Sequence, residues 1–251
     1  MKLVVCVKLV RVLGDEVEFT SDGLDVDPDY LESALNEWDA CALEEALLIK
    51  ERLGGGEVVA VTAGDKRSEE ALRRCLAMGA DRAIRVDSAV PDPISTARAL
   101  AVAVKPESAD LVLCGVQSSD SVQGSTGTAL SELLGLPRVA VVKKLEWSGS
   151  GAATAHRELE GGLIDIVEVD TPAVLTIQTG INQPRYATLR AIKLAEQQEI
   201  AIVADGDADR TPAYRVRKMF SPPKGTGAKM LGGGPDEIAR QIAGIIRERL
   251  K

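Results

Sequence analysis

The chain has 251 residues, of which 45% are hydrophobic and 27% charged, and its formal net charge is −8. That length suits one large domain, or one domain with an appendage, and the apolar content excludes a disordered chain. No apolar run reaches the roughly 18 residues that span a bilayer, and the acidic balance argues against nucleic acid as a partner.

Leu3 to Val10 is a continuous apolar run, as expected of one strand covered on both faces. The start lacks the small-residue cleavage site of a signal peptide. With no targeting segment in view, the expected location is cytoplasmic, in a bacterium or archaeon. Residues 15–27 are acidic and read as a hairpin or surface loop. Asp25-Val26-Asp27-Pro28-Asp29 looks like the start of a calcium loop. Tyr30 stands where that loop needs glycine, and Asn36 where it needs a bidentate glutamate.

A long helix follows. Asn36 is its expected N-cap, with Glu37 and Asp39 in the first turn. Leu35, Trp38, Ala42, Ala46, Leu47 and Leu53 recur at helical spacing, and Gly54-Gly55-Gly56 ends the helix. Strand and helix then alternate: a strand at Val58 to Val61, a helix over 68–78 ending at Gly79, and a strand at Ala83 to Val86. An Ala-rich helix over 95–104, a buried strand at Leu111 to Cys114, and a helix over 126–134 closed by Gly135 and Pro137 complete the series. The expected fold is α/β, a mainly parallel sheet with helices on both faces.

After Pro137 the spacing predicts strands over 138–147, 153–160, 163–169 and 173–178, with Gly161-Gly162 turning a hairpin between two of them. An irregular loop over 179–188, a short helix and a strand near 200–203 follow. Residues 1–204 are thus read as one α/β domain. From Asp205 to Gly234 periodicity disappears, which suits an extended arm. Pro235 opens a last helix at its first position. Its stripe of Ile238, Ile242, Ile245 and Ile246 needs a partner surface, expected on another subunit. Residues 205–251 are therefore read as an arm and helix that dock on a partner.

Whole reaction classes drop out. The four cysteines, Cys6, Cys41, Cys75 and Cys114, are scattered among apolar residues without a C-x-x-C pair. They read as reduced core thiols and not as a zinc site. The single histidine, His156, lies in an expected strand, away from any nucleophile pattern. Aromatic residues make up only 3% of the chain, too few for a base-stacking platform. There is no Walker A sequence, and no G-x-G-x-x-G follows a strand. No residue pattern calls for a catalytic acid or base, so the chain is not expected to be an enzyme.

The informative segment runs from Gly115 through Gln117, Asp120, Val122, Gln123, Gly124 and Ser125 to Thr126. It joins the carboxyl end of a buried strand to the start of a helix, the place where open parallel sheets bind ligands. Its hydroxyls can donate hydrogen bonds, and its glycines let backbone N–H groups approach a phosphate. A polar connecting loop would look similar. Asn36 and Asp39 begin another helix after an earlier strand, so a nucleotide along the sheet edge could touch both.

In sequence the chain resembles the beta subunits of electron transfer flavoproteins over nearly its whole length. The matching pieces are Val5-Cys6-Val7-Lys8, Asn36 through Glu44-Glu45-Ala46, Leu76-Ala77-Met78-Gly79-Ala80-Asp81-Arg82, and Asp110-Leu111-Val112-Leu113 with the following loop to Thr126-Gly127. They continue with Arg157-Glu158-Leu159-Glu160-Gly161-Gly162, Pro172-Ala173-Val174, and Asn182-Gln183-Pro184-Arg185-Tyr186-Ala187-Thr188-Leu189.

The resemblance implies a Rossmann-like, adenine-nucleotide-binding fold. It implies a heterodimer with an alpha subunit that holds most of an FAD. It implies electron transfer from flavin dehydrogenases, notably the acyl-CoA dehydrogenases of fatty acid beta-oxidation, to a membrane quinone oxidoreductase. It further implies a structural AMP in this chain. By position, Cys6, Asn36, Trp38, Asp39, Ala63 and the loop from Gly115 to Thr126 would line the AMP site. Gln183 to Ile192 would be the partner-recognition loop, with Leu189 as its apolar anchor beside Arg185 and Tyr186. Two alternatives stay open: a bifurcating flavoprotein subunit with a second FAD in place of AMP, and an adenine-nucleotide sensor like the universal stress proteins.

Overall fold

A computed structural model describes residues 1–14, 16–88, 92–206, 211–223, 225 and 227–250. The chain forms β1 (Lys2–Cys6), β2 (Leu9–Leu13), β3 (Leu31–Leu35), α1 (Glu37–Arg52), β4 (Glu57–Gly64), α2 (Glu69–Met78), β5 (Arg82–Asp87), α3 (Pro93–Glu107) and β6 (Leu111–Gly115). Then come α4 (Thr126–Leu134), β7 (Arg138–Glu146), β8 (Ala152–Glu158), β9 (Ile164–Asp170), β10 (Ala173–Ile177), α5 (Leu189–Gln197), β11 (Ala201–Ala204) and α6 (Pro235–Arg249).

The main sheet has nine strands in the order β11-β5-β4-β1-β6-β10-β7-β8-β9. Every neighbouring pair from β11 to β7 is parallel, and the meander β7–β8–β9 is antiparallel. This is the expected α/β architecture. Alternate residues of each central strand enter opposite cores. Leu3, Val5, Leu111 and Leu113 pack with Leu43, Leu47, Leu72 and Cys75 of α1 and α2. Val4, Cys6, Val112 and Cys114 pack with Ala97, Leu100 and Leu130 of α3 and α4. Both faces are covered, which is why these strands read as unbroken apolar runs. All four cysteines are buried and free, as expected.

The expected single strand from Leu3 to Val10 is broken. β1 ends at Cys6, and β2 leaves the main sheet to pair antiparallel with β3. The break has a cause distant in sequence: the Lys8 N–H donates to a carboxylate oxygen of Asp39 at 2.8 Å instead of to a strand. Leu35, expected on the helix stripe, instead pairs with Leu9 in that small sheet. Between β2 and β3 the chain makes the expected turn, closed by a bridge from Phe19 to Val26. The Gly161-Gly162 turn also forms, with both glycines at positive φ.

β1 is flanked by β4 on one side and β6 on the other. The chain leaves β1, builds outward through β4 and β5, and returns to lay β6 against the opposite edge. The connections after β1 and after β6 therefore diverge to opposite faces, opening a crevice at their carboxyl ends. Among the described residues no helix is long and apolar enough to cross a membrane.

Leu113→Ala, at a fully buried position in β6, is expected to cost about 2–5 kcal/mol. Leu163→Ala, 65% exposed in the turn before β9, should stay within about 0.5 kcal/mol. Urea-unfolding midpoints of the two variants check this contrast.

Candidate functional site

The crevice is a cleft of about 910 Å³. Of the residues predicted for a nucleotide, it gathers Cys6, Asn36, Asp39, Ala63, Gly115, Gln117, Asp120, Gln123, Gly124, Ser125 and Thr126. Trp38 and Val122 are not among its walls. Trp38 turns its indole N–H to the Gln178 side-chain oxygen, 2.8 Å away. Val122 stands at φ 52°, with its side chain in solvent.

The floor is tied together by Asp39. One carboxylate oxygen accepts from the Lys8 N–H at 2.8 Å, and the other from the Gly115 N–H at 2.9 Å. These amides terminate the two strands on either side of the crevice, so one side chain fixes the gap between them. The contact needs glycine at 115: a Cβ there would lie 2.6 Å from Trp38 Cβ and would meet the Asp39 carboxylate. Burial pushes the Asp39 carboxyl up to about 7, opposed by its hydrogen bonds with Asn36, Lys8 and Gly115.

Asn36 occupies the cap position of α1 but makes no side-chain cap bond, contrary to the expected N-cap. Its amide donates to the Gln117 carbonyl at 2.8 Å and accepts from the Ser119 N–H at 3.3 Å. It therefore pins the β6–α4 loop to α1. Asp120 joins the same loop to the β1 end, accepting from Lys8 Nζ at 2.6 Å. Burial would raise the Asp120 carboxyl, but the Lys8 and Ser118 hydrogen bonds outweigh it and hold it low. Cys6 and Cys114 sit side by side on the two strands. Hydrogen bonding between the two thiols, together with burial, raises Cys6 well above the usual thiol range, so it stays protonated and inert.

The α4 amino terminus opens into this cleft at Ser125 and Thr126. Among the described residues no side chain caps it, and its first turn carries no acidic residue. By contrast α3, which also starts at the cleft, is capped by its own Asp92, which accepts from Ile94 and Ser95. An uncapped helix start leaves backbone N–H groups and the positive end of the helix dipole for an anion. The cations nearby are already neutralised: Lys8 by Asp120, and Arg11 by both oxygens of Asp25 at 2.9 Å.

Sequence reasoning missed several cleft residues. Lys8 lies in one of the matching pieces. Asp92-Pro93 has a legible N-cap signature with proline at the first helical position. Tyr214, Val216 and Met219 come from the arm and carried no signal.

The predicted docking residues lie elsewhere: Arg185 and Tyr186 on the loop before α5, and Leu189 at the first position of α5. Tyr186 is 94% and Leu189 81% exposed. Arg185 instead faces inward: its guanidinium grips Glu44 with two bonds of 2.9 Å and reaches Glu51 at 2.7 Å. Asn182 adds bonds of 3.0 Å to the Cys41 carbonyl and to Glu45. The loop is thereby fastened to α1, and Thr188 caps α5 through the Ala191 N–H.

A family model described as "Electron transfer flavoprotein domain" matches residues 24–208. The chain is 45% identical to the electron transfer flavoprotein subunit beta of Methylophilus methylotrophus, covering 99% of this chain and 98% of that one. It is 31% identical to the human protein of that name, over 96% of both chains. A subunit of the caffeyl-CoA reductase-Etf complex, CarD of Acetobacterium woodii, is 32% identical over 99% of both.

Asp39→Asn tests the strut. Unfolded, the Asp39 carboxyl returns to its ordinary value of 3.8; folded, it lies at about 7. Between those values the folded chain keeps a proton that the unfolded chain has lost. This group therefore makes stability fall as pH rises through that window. Urea unfolding across the window should show a flatter pH slope in Asp39→Asn. The variant should also lose about 1–3 kcal/mol, because an amide offers only one acceptor to two N–H donors.

Proposed function

The chain belongs to the electron transfer flavoproteins as a beta subunit, and from that membership we propose that it is the non-catalytic half of an electron-carrying heterodimer. Its partner is an alpha subunit that holds most of an FAD, and its own cleft holds AMP as a structural ligand. The FAD supplies the redox chemistry when bound; the work of this chain is to hold, shield and present.

The observation that carries the nucleotide reading is the uncapped start of α4 opening into the cleft. Neutralised cations leave the backbone N–H groups of α4, with the Ser125 and Thr126 hydroxyls, as the donors for a phosphate. Ala63 and Leu100 offer apolar wall to a base. A cleft of about 910 Å³ lies within the range of small-molecule sites, ~300–1,000 Å³.

Leu189 is the docking anchor for flavin dehydrogenases, such as acyl-CoA dehydrogenases, with Tyr186 beside it. Support comes from a loop that is rigidly mounted on α1 yet leaves a large apolar side chain in water. An anchor of that kind can dominate a transient interface at little ordering cost. Arg185 serves the site indirectly, by mounting the loop. On the acceptor side we infer a membrane quinone oxidoreductase. The end of the arm, beyond Met219, and α6 dock on the alpha subunit: none of the residues of α6 is buried, and Ile242, Ile245 and Ile246 face solvent. A cytoplasmic setting suits four free thiols.

The likeness to a caffeyl-CoA reductase-Etf subunit favours one second reading, a bifurcating complex with FAD in this cleft. Chromatography of nucleotides released from the denatured alpha–beta complex separates the two. AMP and one FAD per dimer is the expected result. Two FAD without AMP establishes the second reading, and ATP on a chain that purifies alone removes both.

Leu189→Ala should slow reduction of the complex by its dehydrogenase at sub-saturating concentration by about thirtyfold, the effect of losing a contact worth ~2 kcal/mol. Nucleotide content should be unchanged. Stopped-flow flavin absorbance reads the rate, and an unaltered rate removes the docking role.

A further inference from the structure

The first part of the arm lies across the mouth of the cleft. Three hydrogen bonds fasten it to three different parts of the rim. The Ala213 N–H donates to Asp92 at the start of α3, at 3.0 Å. The Gln123 side-chain amide donates to the Tyr214 hydroxyl. The Met219 N–H donates to the Gly23 carbonyl in the turn between β2 and β3, at 2.8 Å. Between these anchors Tyr214, Val216 and Met219 form part of the cleft wall.

We propose that this strap is the outer wall of the nucleotide site, and that the Tyr214–Gln123 bond is the latch that retains a nucleoside monophosphate. The inference rests on the reading of the cleft as a nucleotide site. The other walls are strand ends, helix starts, the β2–β3 hairpin and a loop pinned by Asn36 and Lys8. Opening the strand ends or helix starts breaks the core, and opening the hairpin or the loop breaks a strand pairing or side-chain bonds to a neighbouring element. The strap has no helix or strand of its own, and Tyr214 and Val216 are 44% and 46% exposed. It can therefore open locally without global unfolding. Entry and exit of a ligand then depend on the strap, and its few anchors set the release rate. Asp92 serves twice, capping α3 and holding the strap, so the strap is indexed to the same helix that walls the cleft.

The test uses the complete alpha–beta complex, loaded with radiolabelled AMP and chased with excess unlabelled AMP. Tyr214→Phe keeps the ring and removes only the latch bond; release should quicken about threefold to tenfold, the scale of one net hydrogen bond. Tyr214→Ala should quicken it further. Tyr214→Phe combined with Gln123→Ala should release no faster than Gln123→Ala alone, because both changes delete one bond. Leu163→Ala, remote from the strap, should release like the parent. Unchanged release from Tyr214→Ala, with AMP bound stoichiometrically, overturns the latch while leaving the nucleotide reading intact. A parent complex that carries no nucleotide overturns the nucleotide reading itself, and the latch with it.

Discussion

Everything at the working end of this fold depends on two backbone amides sharing one carboxylate. Lys8 lies just past the end of β1 and Gly115 ends β6, and Asp39 of α1 accepts from both. The strand ends must part there, because their chains go to opposite faces of the sheet. Parting leaves amides with no strand partner, and a buried unpaired N–H is costly. Asp39 supplies the missing acceptors. The arrangement also burdens the fold, since burial opposes the charged form of that carboxylate. A stable crevice is obtained at the expense of some stability above the folded titration point.

The same helix carries the second functional surface. Asn36 and Asp39 at its start shape the cleft. Glu44, Glu45 and Glu51 along its length fasten the loop that presents Leu189. Asp39 and Glu45 are about 9 Å apart along the axis, at ~1.5 Å per residue. A beam this short and this well buried transmits position, so the cleft and the loop before α5 share one rigid reference. The buried Glu44 and Glu45 need this explanation. Carboxylates are rarely buried without partners, and here Arg185 and Asn182 are the partners.

Much of this was legible in the chain. β4, β5, β6 and β10 are short apolar runs between turn residues, and burial on both faces makes such runs unmistakable. The loop from Gly115 to Thr126 was legible because glycine and hydroxyl residues cluster between a buried strand and a helix. Other features were hidden for physical reasons. The break after Cys6 depends on an acceptor 31 residues further on, and no local pattern encodes it. The resemblance places Trp38 at the site beside Asp39, yet one residue along a helix turns about 100°. It therefore faces Gln178 instead of the cleft. Asn36 has a capping residue type in a capping position, but a distant loop offered better partners. The path of the arm past Tyr214 follows from single hydrogen bonds, which have no periodicity to detect.

On the proposed nucleotide reading, charge favours a helix end as the place for the phosphate. Lys8 and Arg11, at the cleft, are each matched by an aspartate of the rim. Asp39 and Asp92 add further acidic groups to the walls. A polyphosphate there would meet more carboxylate than free cation. A single phosphate at the start of α4 needs no cation, because N–H groups and the helix dipole supply the field. On the nucleotide reading proposed above, the acidic rim disfavours a longer phosphate chain that extends past the helix start. A preference for a nucleoside monophosphate would then follow from the same ion pairs that hold the loop in place.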